Sequence, residues 1–228
     1  MKKLQITEAV TAYEFMELTP YTTYVYTITR GRTVYIIDTF CGSAYMEQIR
    51  MDYPNSNFTV INTHYHFDHI WGNYSFQDSP IYAHRLCRDM ILTHGIEELQ
   101  EQRQFFKGKQ ELVLPNHCFD GMQYALGNSL VLLYTPGHTI DGISIYDWKQ
   151  KLLFVGDNLE KPLVQADPDL LTEYENTLKL YLRLPVSRFY AGHTLCLHRE
   201  DVCDTLLSIQ AMHADKHTPY QGIEEQKI

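Results

Sequence analysis

The sequence predicts a single α+β domain in which two β-rich portions are separated by a helical segment. Short, β-branched runs bounded by glycine and other turn residues fill residues 4–39 and 121–157. The chain has 228 residues and is 44% apolar, which is enough for one large core. No linker rich in glycine, serine or proline and no internal repeat divides it, so one domain over residues 1–228 is expected.

The first β-rich portion contains a hairpin and a buried strand. Residues 21–29 and 33–38 are joined by Arg30-Gly31-Arg32, and this pattern predicts a hairpin with glycine at its turn. Residues 34–37 are typical of a central buried strand. That strand ends at Asp38, which we interpret either as a cap of the next loop or as a residue that supports a site.

Helical and extended segments alternate in the next part of the chain. A helix is predicted for residues 43–52, because apolar residues fall on one side and a proline follows its end. Short strands are predicted for residues 58–61 and 80–83, and residues 84–106 have a helical composition. The segment 84–120 is interpreted either as a helical cap or lid beside a site or as a plain surface helix.

The second β-rich portion is predicted to consist of antiparallel strands joined by tight turns. These strands cover residues 122–126, 129–135, 142–148 and 151–155. A second long helix is predicted to begin with Asp167 as its N-cap and Pro168 at its first position. A last strand at 188–191 and a closing helix at 199–213 complete the prediction.

Three imidazoles and a carboxylate follow the predicted strand 58–61 within six residues. They are His64, His66, Asp68 and His69. Side chains at a strand end are held rigidly, and residues two apart converge from an extended turn but diverge on a helix. Imidazoles and carboxylates are ligands of borderline divalent ions such as zinc. One histidine here would be an ordinary surface residue, but this combination predicts a metal site.

Three later positions repeat the arrangement of a predicted strand, a glycine and a metal-ligand type. They are Gly137-His138, Gly156-Asp157 and Gly192-His193. Glycine before the ligand allows the backbone to approach a metal closely. Strand ends at one edge of stacked sheets point into one region, so we expect these residues to join the group at 64–69.

Taken in order, these pieces resemble the metallo-β-lactamase superfamily. The motifs are His-x-His-x-Asp-His at 64–69, Thr-Pro-Gly-His-Thr at 135–139, Gly-Asp at 156–157 and Gly-His at 192–193. Within the family the chain looks closest to glyoxalase-II-like hydrolases, because Asp157 stands where some β-lactamases have a cysteine. The resemblance implies a four-layered αβ/βα sandwich with the metal site at one edge of the two sheets.

The resemblance also implies a binuclear centre and a role for each ligand. One metal is expected on His64, His66 and His138, the second on Asp68, His69 and His193, with Asp157 bridging them. Zinc is the expected ion, with iron or manganese as alternatives, because ligand type alone does not decide between them. A metal-bound hydroxide is the implied nucleophile, and Asp68 is the implied catalytic residue that orients it or moves a proton.

The expected function is hydrolysis of a small ester, thioester, lactone or related substrate, whose binding residues the sequence does not identify. Two alternatives stay open: a mononuclear iron enzyme resembling the persulfide dioxygenases, and a catalytically silent metal-binding or sensor module. The 35 residues after His193 are too few for the carboxy-terminal domain with which glyoxalase II enzymes hold glutathione. Glutathione thioesters are therefore not expected.

Charge and hydropathy favour a small-molecule substrate over other partners. The net charge of −9 and the absence of a Lys/Arg cluster argue against nucleic acid. No apolar run has the length of a membrane span, so no membrane partner is expected. Lys2 and Lys3 are not followed by an apolar stretch, so we expect a cytoplasmic protein without a signal peptide. The oligomeric state is not predicted.

The remaining cysteines and histidines predict no second site. Five scattered cysteines without a Cys-x-x-Cys pair support neither a disulfide framework nor a cysteine-rich zinc site. The other histidines are interpreted as structural or exposed, with a supporting role near the metals as the alternative for His198. They are His84, His94, His117, His198, His213 and His217.

Overall fold

The computed structural model describes residues 1–109, 111–162 and 165–217 and contains two β-sheets with helices on their outer faces. The first sheet has seven strands in sequence order: β1 (Lys2–Thr7), β2 (Val10–Phe15), β3 (Thr23–Arg30), β4 (Thr33–Ile37), β5 (Asn57–Ile61), β6 (Ile81–His84) and β7 (His117–Phe119). Strands β1 to β4 are antiparallel and β4 to β7 are parallel.

The predicted hairpin and central strand are confirmed. Gly31 has a φ of 60° in the turn between β3 and β4, a conformation that glycine adopts without strain. Strand β4 is the fourth of seven and is paired on both sides. Strand β7 was not predicted, because its three residues are too few to establish an alternating pattern.

The second sheet has five strands in the order β12-β11-β10-β9-β8. Their bounds are β8 (Gln123–Leu126), β9 (Leu130–Tyr134), β10 (Ile143–Asp147), β11 (Leu152–Phe154) and β12 (Arg188–Tyr190). The antiparallel pairing predicted for β8 to β11 is confirmed, and β12 lies parallel to β11.

The helices are α1 (Ser43–Asp52), α2 (Phe67–Ile70), α3 (Arg85–Glu101), α4 (Leu171–Arg183) and α5 (Arg199–His217). Two predictions differ from the structure. Gly72 and Asn73 are typical of a turn, but residues 71–73 lie in a 3-10 helix, Trp71–Phe76, because burial of Trp71 and Phe76 holds the chain in a helical path. Asp167 accepts a hydrogen bond from Asp169 N–H as a cap, but it caps a 3-10 turn, Pro168–Leu170, and α4 begins after it.

Successive side chains of a strand point to opposite faces of its sheet, and this alternation produces four layers. In β11, Leu153 packs against α4 and α5, whereas Leu152 and Phe154 pack between the sheets. In β4, Val34 and Ile36 face the opposite way, toward α1 and α3. Helices therefore cover both outer faces of two stacked sheets, which confirms the αβ/βα sandwich. Among the described residues, no helix has both the length and the apolar character needed to cross a membrane.

The carboxyl ends of β4, β5, β9, β11 and β12 meet at one edge of the sandwich. Two backbone hydrogen bonds join the sheets there: Tyr24 N–H donates to Gly192 O at 2.8 Å, and Ile143 N–H donates to Thr63 O at 2.8 Å. The loops that leave these strands therefore lie side by side, and they carry the predicted ligand residues.

Candidate metal centre

The seven predicted ligand residues lie together at this edge. In the described part of the chain they form two groups, each with candidate ligand atoms within 4.8 Å of one another: His64, His66, His138 and Asp157 in one, and Asp68, His69 and His193 in the other. Asp68 and His69 belong to α2, so the second half of the segment 64–69 is helical, whereas an extended turn was expected there. The grouping agrees with the predicted sets, and metal binding by them stays a prediction.

Three imidazoles converge in the first group. His66 Nδ1 lies 3.0 Å from His64 Nε2 and 3.1 Å from His138 Nε2. Burial lowers the pKa of His64 well below its usual value and lowers that of His66 to about 4. Both rings are therefore neutral at physiological pH, which is the form that binds a metal.

The second group pairs one carboxylate with two imidazoles. Asp68 Oδ2 lies 3.3 Å from His193 Nε2 and 3.6 Å from His69 Nε2. Burial acts to raise the pKa of Asp68, but the charges of His69 and His193 outweigh it and lower that pKa. Burial acts to lower the pKa of His193, but the charges of Asp157 and then Asp68 outweigh it and raise that pKa to about 11. A bound cation would replace protons on these rings.

Asp157 lies between the two groups. Its Oδ2 is 3.2 Å from His193 Nε2 and 3.3 Å from His69 Nε2 in one group. The same oxygen is 3.7 Å from His64 Nε2 and 3.8 Å from His138 Nε2 in the other. Although burial alone would raise its pKa, His193 and His69 hold the pKa of Asp157 well below its usual value. One ionised carboxylate thus contacts both groups.

Hydrogen bonds behind the rings fix their orientation. Nδ1 of His138 lies 3.0 Å from Gln165 O, and Nδ1 of His193 lies 3.0 Å from Thr22 O. A carbonyl oxygen only accepts, so each Nδ1 donates its hydrogen away from the site and each Nε2 faces into it, where it can offer a lone pair to a metal once it carries no proton. This arrangement is the usual support of a metal-binding histidine.

Two buried atoms in the site have no hydrogen-bond partner among the residues that the structure describes. They are His69 Nε2 and Asp157 Oδ1. Buried polar atoms are nearly always satisfied in proteins, so a pair of them in one cluster points to a ligand. Imidazole nitrogens and carboxylate oxygens are the donors of a zinc-type cation. The residues present therefore fit divalent metal ions.

Asp38 supports the site from behind His69. Its Oδ2 lies 2.8 Å from His69 Nδ1 and accepts from Thr63 Oγ1 at 2.8 Å, while Oδ1 accepts from Thr63 N–H at 2.7 Å. Burial raises the pKa of Asp38, and its contacts with His69 and Thr63 oppose that rise. Of the two interpretations of Asp38, these contacts favour the supporting role.

Asp38→Asn is expected to weaken metal binding by about 10- to 100-fold, the usual effect of losing an outer partner of a ligating histidine. Competition against a chromophoric chelator measures the affinity. Asp147→Asn is the matched control, because Asp147 is equally buried but pairs with Arg30, away from both groups. Equal metal affinity in Asp38→Asn and the native chain would contradict the supporting role.

Gly192 allows β12 to approach the two groups closely. A Cβ added there would lie 2.2 Å from Asp157 Oδ1 and 2.7 Å from His69 Cε1. Gly192→Ala is therefore expected to displace both side chains and to lower the metal content per chain, measured by atomic emission. Gly121→Ala is the control, because the nearest atom to its added Cβ is 3.9 Å away. Full metal content in Gly192→Ala would show that metal binding does not need the close approach of the backbone at residue 192 to Asp157 and His69.

A cavity of about 420 Å³ opens beside the two groups. Its apolar lining comes from Leu18, Tyr21, Phe67 and Phe105. Members of the two groups also line it: His66, Asp68, His138, Asp157 and His193. Part of the segment 84–120 also lines it, through Glu98 and Glu101 of α3. The same segment contains β7, which belongs to the first sheet, and its action as a lid stays a prediction.

One supporting residue was missed by the sequence analysis. Asn158 Oδ1 accepts from His138 N–H at 2.9 Å, and its Nδ2 donates to Thr135 O at 2.7 Å, so this side chain holds the loop that carries His138. Its position directly after Asp157 was the available signal. The other histidines with described side chains lie outside both groups, and His198 lies 3.7 Å from Asp201. The side chain of His217 lies outside the described residues.

Comparisons with known proteins identify the family of this chain. The sequence profile of the metallo-beta-lactamase superfamily matches residues 18–193. The chain is 28% identical over 144 residues to a beta-lactamase-like protein 2 homolog of Caenorhabditis elegans, covering 59% of this chain and 41% of that one. It is 26% identical over 155 residues to an N-acyl homoserine lactonase of Bacillus thuringiensis, covering 62% and 58%. It thus spans about half the length of these curated relatives.

Solved structures share the fold. A metallo-beta-lactamase from Pontibacter korlensis superimposes with a TM-score of 0.70 at 18% identity, covering 92% of this chain and 98% of that one. A metallo-beta-lactamase from Erythrobacter litoralis gives a TM-score of 0.72 at 18% identity, covering 92% and 96%. At this identity the likeness establishes the fold alone. With the profile match over most of its length, the chain belongs to the metallo-β-lactamase superfamily.

Proposed function

We propose that this protein is a binuclear, zinc-type metallohydrolase that cleaves a small ester, thioester or lactone. The position of Asp157 is the observation that carries this proposal, since one of its oxygens lies within 3.8 Å of ring nitrogens from both groups. A carboxylate in that place can bridge two cations about 3.5–4 Å apart, the usual spacing in two-metal hydrolytic sites.

In this proposal each group would hold one ion. His64, His66 and His138 would hold the first, Asp68, His69 and His193 would hold the second, and Asp157 would serve both. When bound, such ions acidify water and polarise a carbonyl oxygen, which is the chemistry that hydrolysis needs. The carbonyl groups of Thr22 and Gln165 keep two of the ligand rings oriented without substrate.

Asp68 is the proposed proton carrier. Its carboxylate lines the cavity, so a substrate can reach it, and its lowered pKa keeps it ionised at neutral pH. It can take a proton from the attacking water at Oδ1, the oxygen that faces away from His69 and His193 Nε2 in this assignment, and deliver it to the leaving oxygen or sulfur. The chain offers no Gly-x-Ser-x-Gly motif for a serine nucleophile, in keeping with direct attack by water.

The cavity suits a small acyl substrate. Its volume of about 420 Å³ and its apolar wall can take an aliphatic or aromatic group beside the reacting carbonyl. Similarity to N-acyl homoserine lactonases favours a lactone among the candidate substrates. Because the chain covers only part of those relatives, their substrate is offered here as one member of a test panel.

Metal analysis followed by a substrate panel tests the proposal. Protein purified without added metal is expected to hold two divalent ions per chain. Loaded with zinc, it is expected to hydrolyse at least one member of a panel of aryl esters, thioesters, lactones, β-lactams and phosphodiesters, without oxygen consumption.

The same experiment separates the alternatives. One iron per chain with oxygen uptake on a persulfide would replace the proposal with a mononuclear dioxygenase. Fully metal-loaded protein that fails on the whole panel would favour a silent binding or sensor module.

A further inference from the structure

A pair of buried asparagine side chains contacts the backbone of the second group. Asn62 directly follows β5, Asn73 lies in the 3-10 helix after α2, and both are completely buried. Each amide donates to the other: Asn73 Nδ2 to Asn62 Oδ1 at 2.9 Å, and Asn62 Nδ2 to Asn73 Oδ1 at 3.1 Å. Neither is among the described residues that line the cavity, so the pair is not placed to touch a substrate.

The hydrogen-bonding capacity of the Asn73 side chain is completely used. Its Oδ1 also accepts from Thr39 Oγ1 at 2.9 Å, and its Nδ2 also donates to Val113 O at 3.0 Å. The Thr39 hydroxyl has one hydrogen, and its other contact, with His69 O, is longer at 3.3 Å. Burial of an amide is unfavourable unless its bonds are made, and a completely paired network holds one arrangement. We call Thr39, Asn62 and Asn73 the asparagine network.

The asparagine network holds the backbone of His69. The carbonyl oxygen of His69 accepts from Thr39 N–H at 2.8 Å and from Asn62 Nδ2 at 3.3 Å. At the other end of the residue, Nδ1 of the ring lies 2.8 Å from Asp38 Oδ2. Because the backbone and one ring nitrogen are both held, Nε2 is fixed in its place, 3.3 Å from Asp157 Oδ2.

We infer that Asn73 is a positioning residue of the metal centre, which through its pair with Asn62 fixes the backbone of His69 and so aims the ring into the second group. The inference rests on the proposed function, because it concerns a ligand of the same centre. Helix α2 cannot supply this rigidity by itself, since its four residues are too few to be stable alone.

Calorimetric titration of metal-free protein with zinc tests the inference, because it measures a binding constant for each ion. Asn73→Ala is expected to weaken one constant by about tenfold or more, the scale for losing an outer partner of a ligating histidine. The other constant is expected to change by less than about threefold. The loss is selective because, among the described residues, the hydrogen bonds of the asparagine network reach His69 and no member of the first group.

Two matched valine variants separate positioning from general loss of stability. Thr39→Val keeps the shape of a buried side chain but removes the hydroxyl that donates to Asn73, and it is expected to weaken the same constant by about threefold. Thr27→Val is the control, because Thr27 is equally buried and its Oγ1 lies 2.7 Å from Tyr53 Oη, outside the asparagine network. It is expected to change neither constant. If Asn73→Ala does not fold, these two variants decide.

Amide hydrogen exchange of the metal-free protein gives a second readout, which does not depend on metal. Asn73→Ala is expected to raise the exchange rates within residues 67–73 by about tenfold, because local opening of this segment no longer breaks the asparagine network. Thr27→Val is expected to leave these rates as they are in the native chain. The same comparison between Thr39→Val and Thr27→Val is expected to show a smaller difference in the same direction.

Three results would overturn the inference: equal weakening of both zinc constants in Asn73→Ala, no weakening of either, or native exchange rates for residues 67–73 in that variant. Two bound ions without hydrolysis of any panel substrate would end the proposed hydrolase function and leave the role of Asn73 measurable. Native protein that binds no zinc would also end that function, and hydrogen exchange would then decide whether Asn73 holds the His69 backbone.

Discussion

Asp157→Ala is expected to lose at least one metal ion per chain and nearly all turnover. Asp157 contacts His69 and His193 on one side and His64 and His138 on the other, so its removal weakens both groups at once. Without it, two neighbouring cations would also lack the negative charge that offsets their repulsion. We expect kcat/KM to fall by more than about 10³-fold, the scale for loss of one stabilising group. Metal analysis and kinetics on the best panel substrate measure both effects.

Two further variants show whether the effect of Asp157→Ala depends on the charge and the position of this carboxylate. Asp157→Asn preserves the shape of the side chain but not its charge, and it is expected to behave much like the alanine variant. Asp120→Ala removes an exposed carboxylate that lies 2.7 Å from Arg85 Nε, and it is expected to change neither metal content nor rate. Full metal content and activity in Asp157→Ala would refute the bridging role.

Removal of metal by chelation is expected to abolish turnover and to lower the melting temperature. Each bound ion stabilises the folded chain by about 2.7 kcal/mol at a free concentration of 100 Kd. For a chain of 228 residues this corresponds to a loss of roughly 5–10 °C in Tm for each ion removed. Differential scanning calorimetry of metal-loaded and chelated protein measures the difference.

Reconstitution provides the control for chelation. Zinc added to the chelated protein is expected to restore both activity and Tm, whereas magnesium is expected to restore neither, because it prefers oxygen ligands over imidazole. Metal-free protein that still hydrolyses the panel substrate would mean that the reaction does not use this cluster.

The strands and the positions of the candidate ligands were predictable because both have local signals in the sequence. The β-branched run before His64 and the tight turn at Gly127 define strands within a few residues. Each later candidate ligand, such as His193, lies three or four residues after a strand end and directly after a glycine. These signals do not depend on how the sheets stack, and the stacking itself was expected from the family resemblance.

Features that depend on tertiary packing were missed. Helix α2 has only four residues, too few to be stable alone, and it forms where Ile70 is buried against the first sheet. Glu98 lies within α3, and its position in the cavity wall depends on how that helix packs on the sheet. Asn158 acts through a loop that is distant in sequence. None of these contacts leaves a periodic pattern in the sequence.

The central claim is that seven side chains from separate loops surround a pair of cations. Anomalous diffraction at the metal absorption edge, from crystals of protein purified without added metal, tests it most directly. The account predicts two peaks, one among His64, His66 and His138 and one among Asp68, His69 and His193, with Asp157 between them. A single peak, or peaks away from these residues, would contradict it.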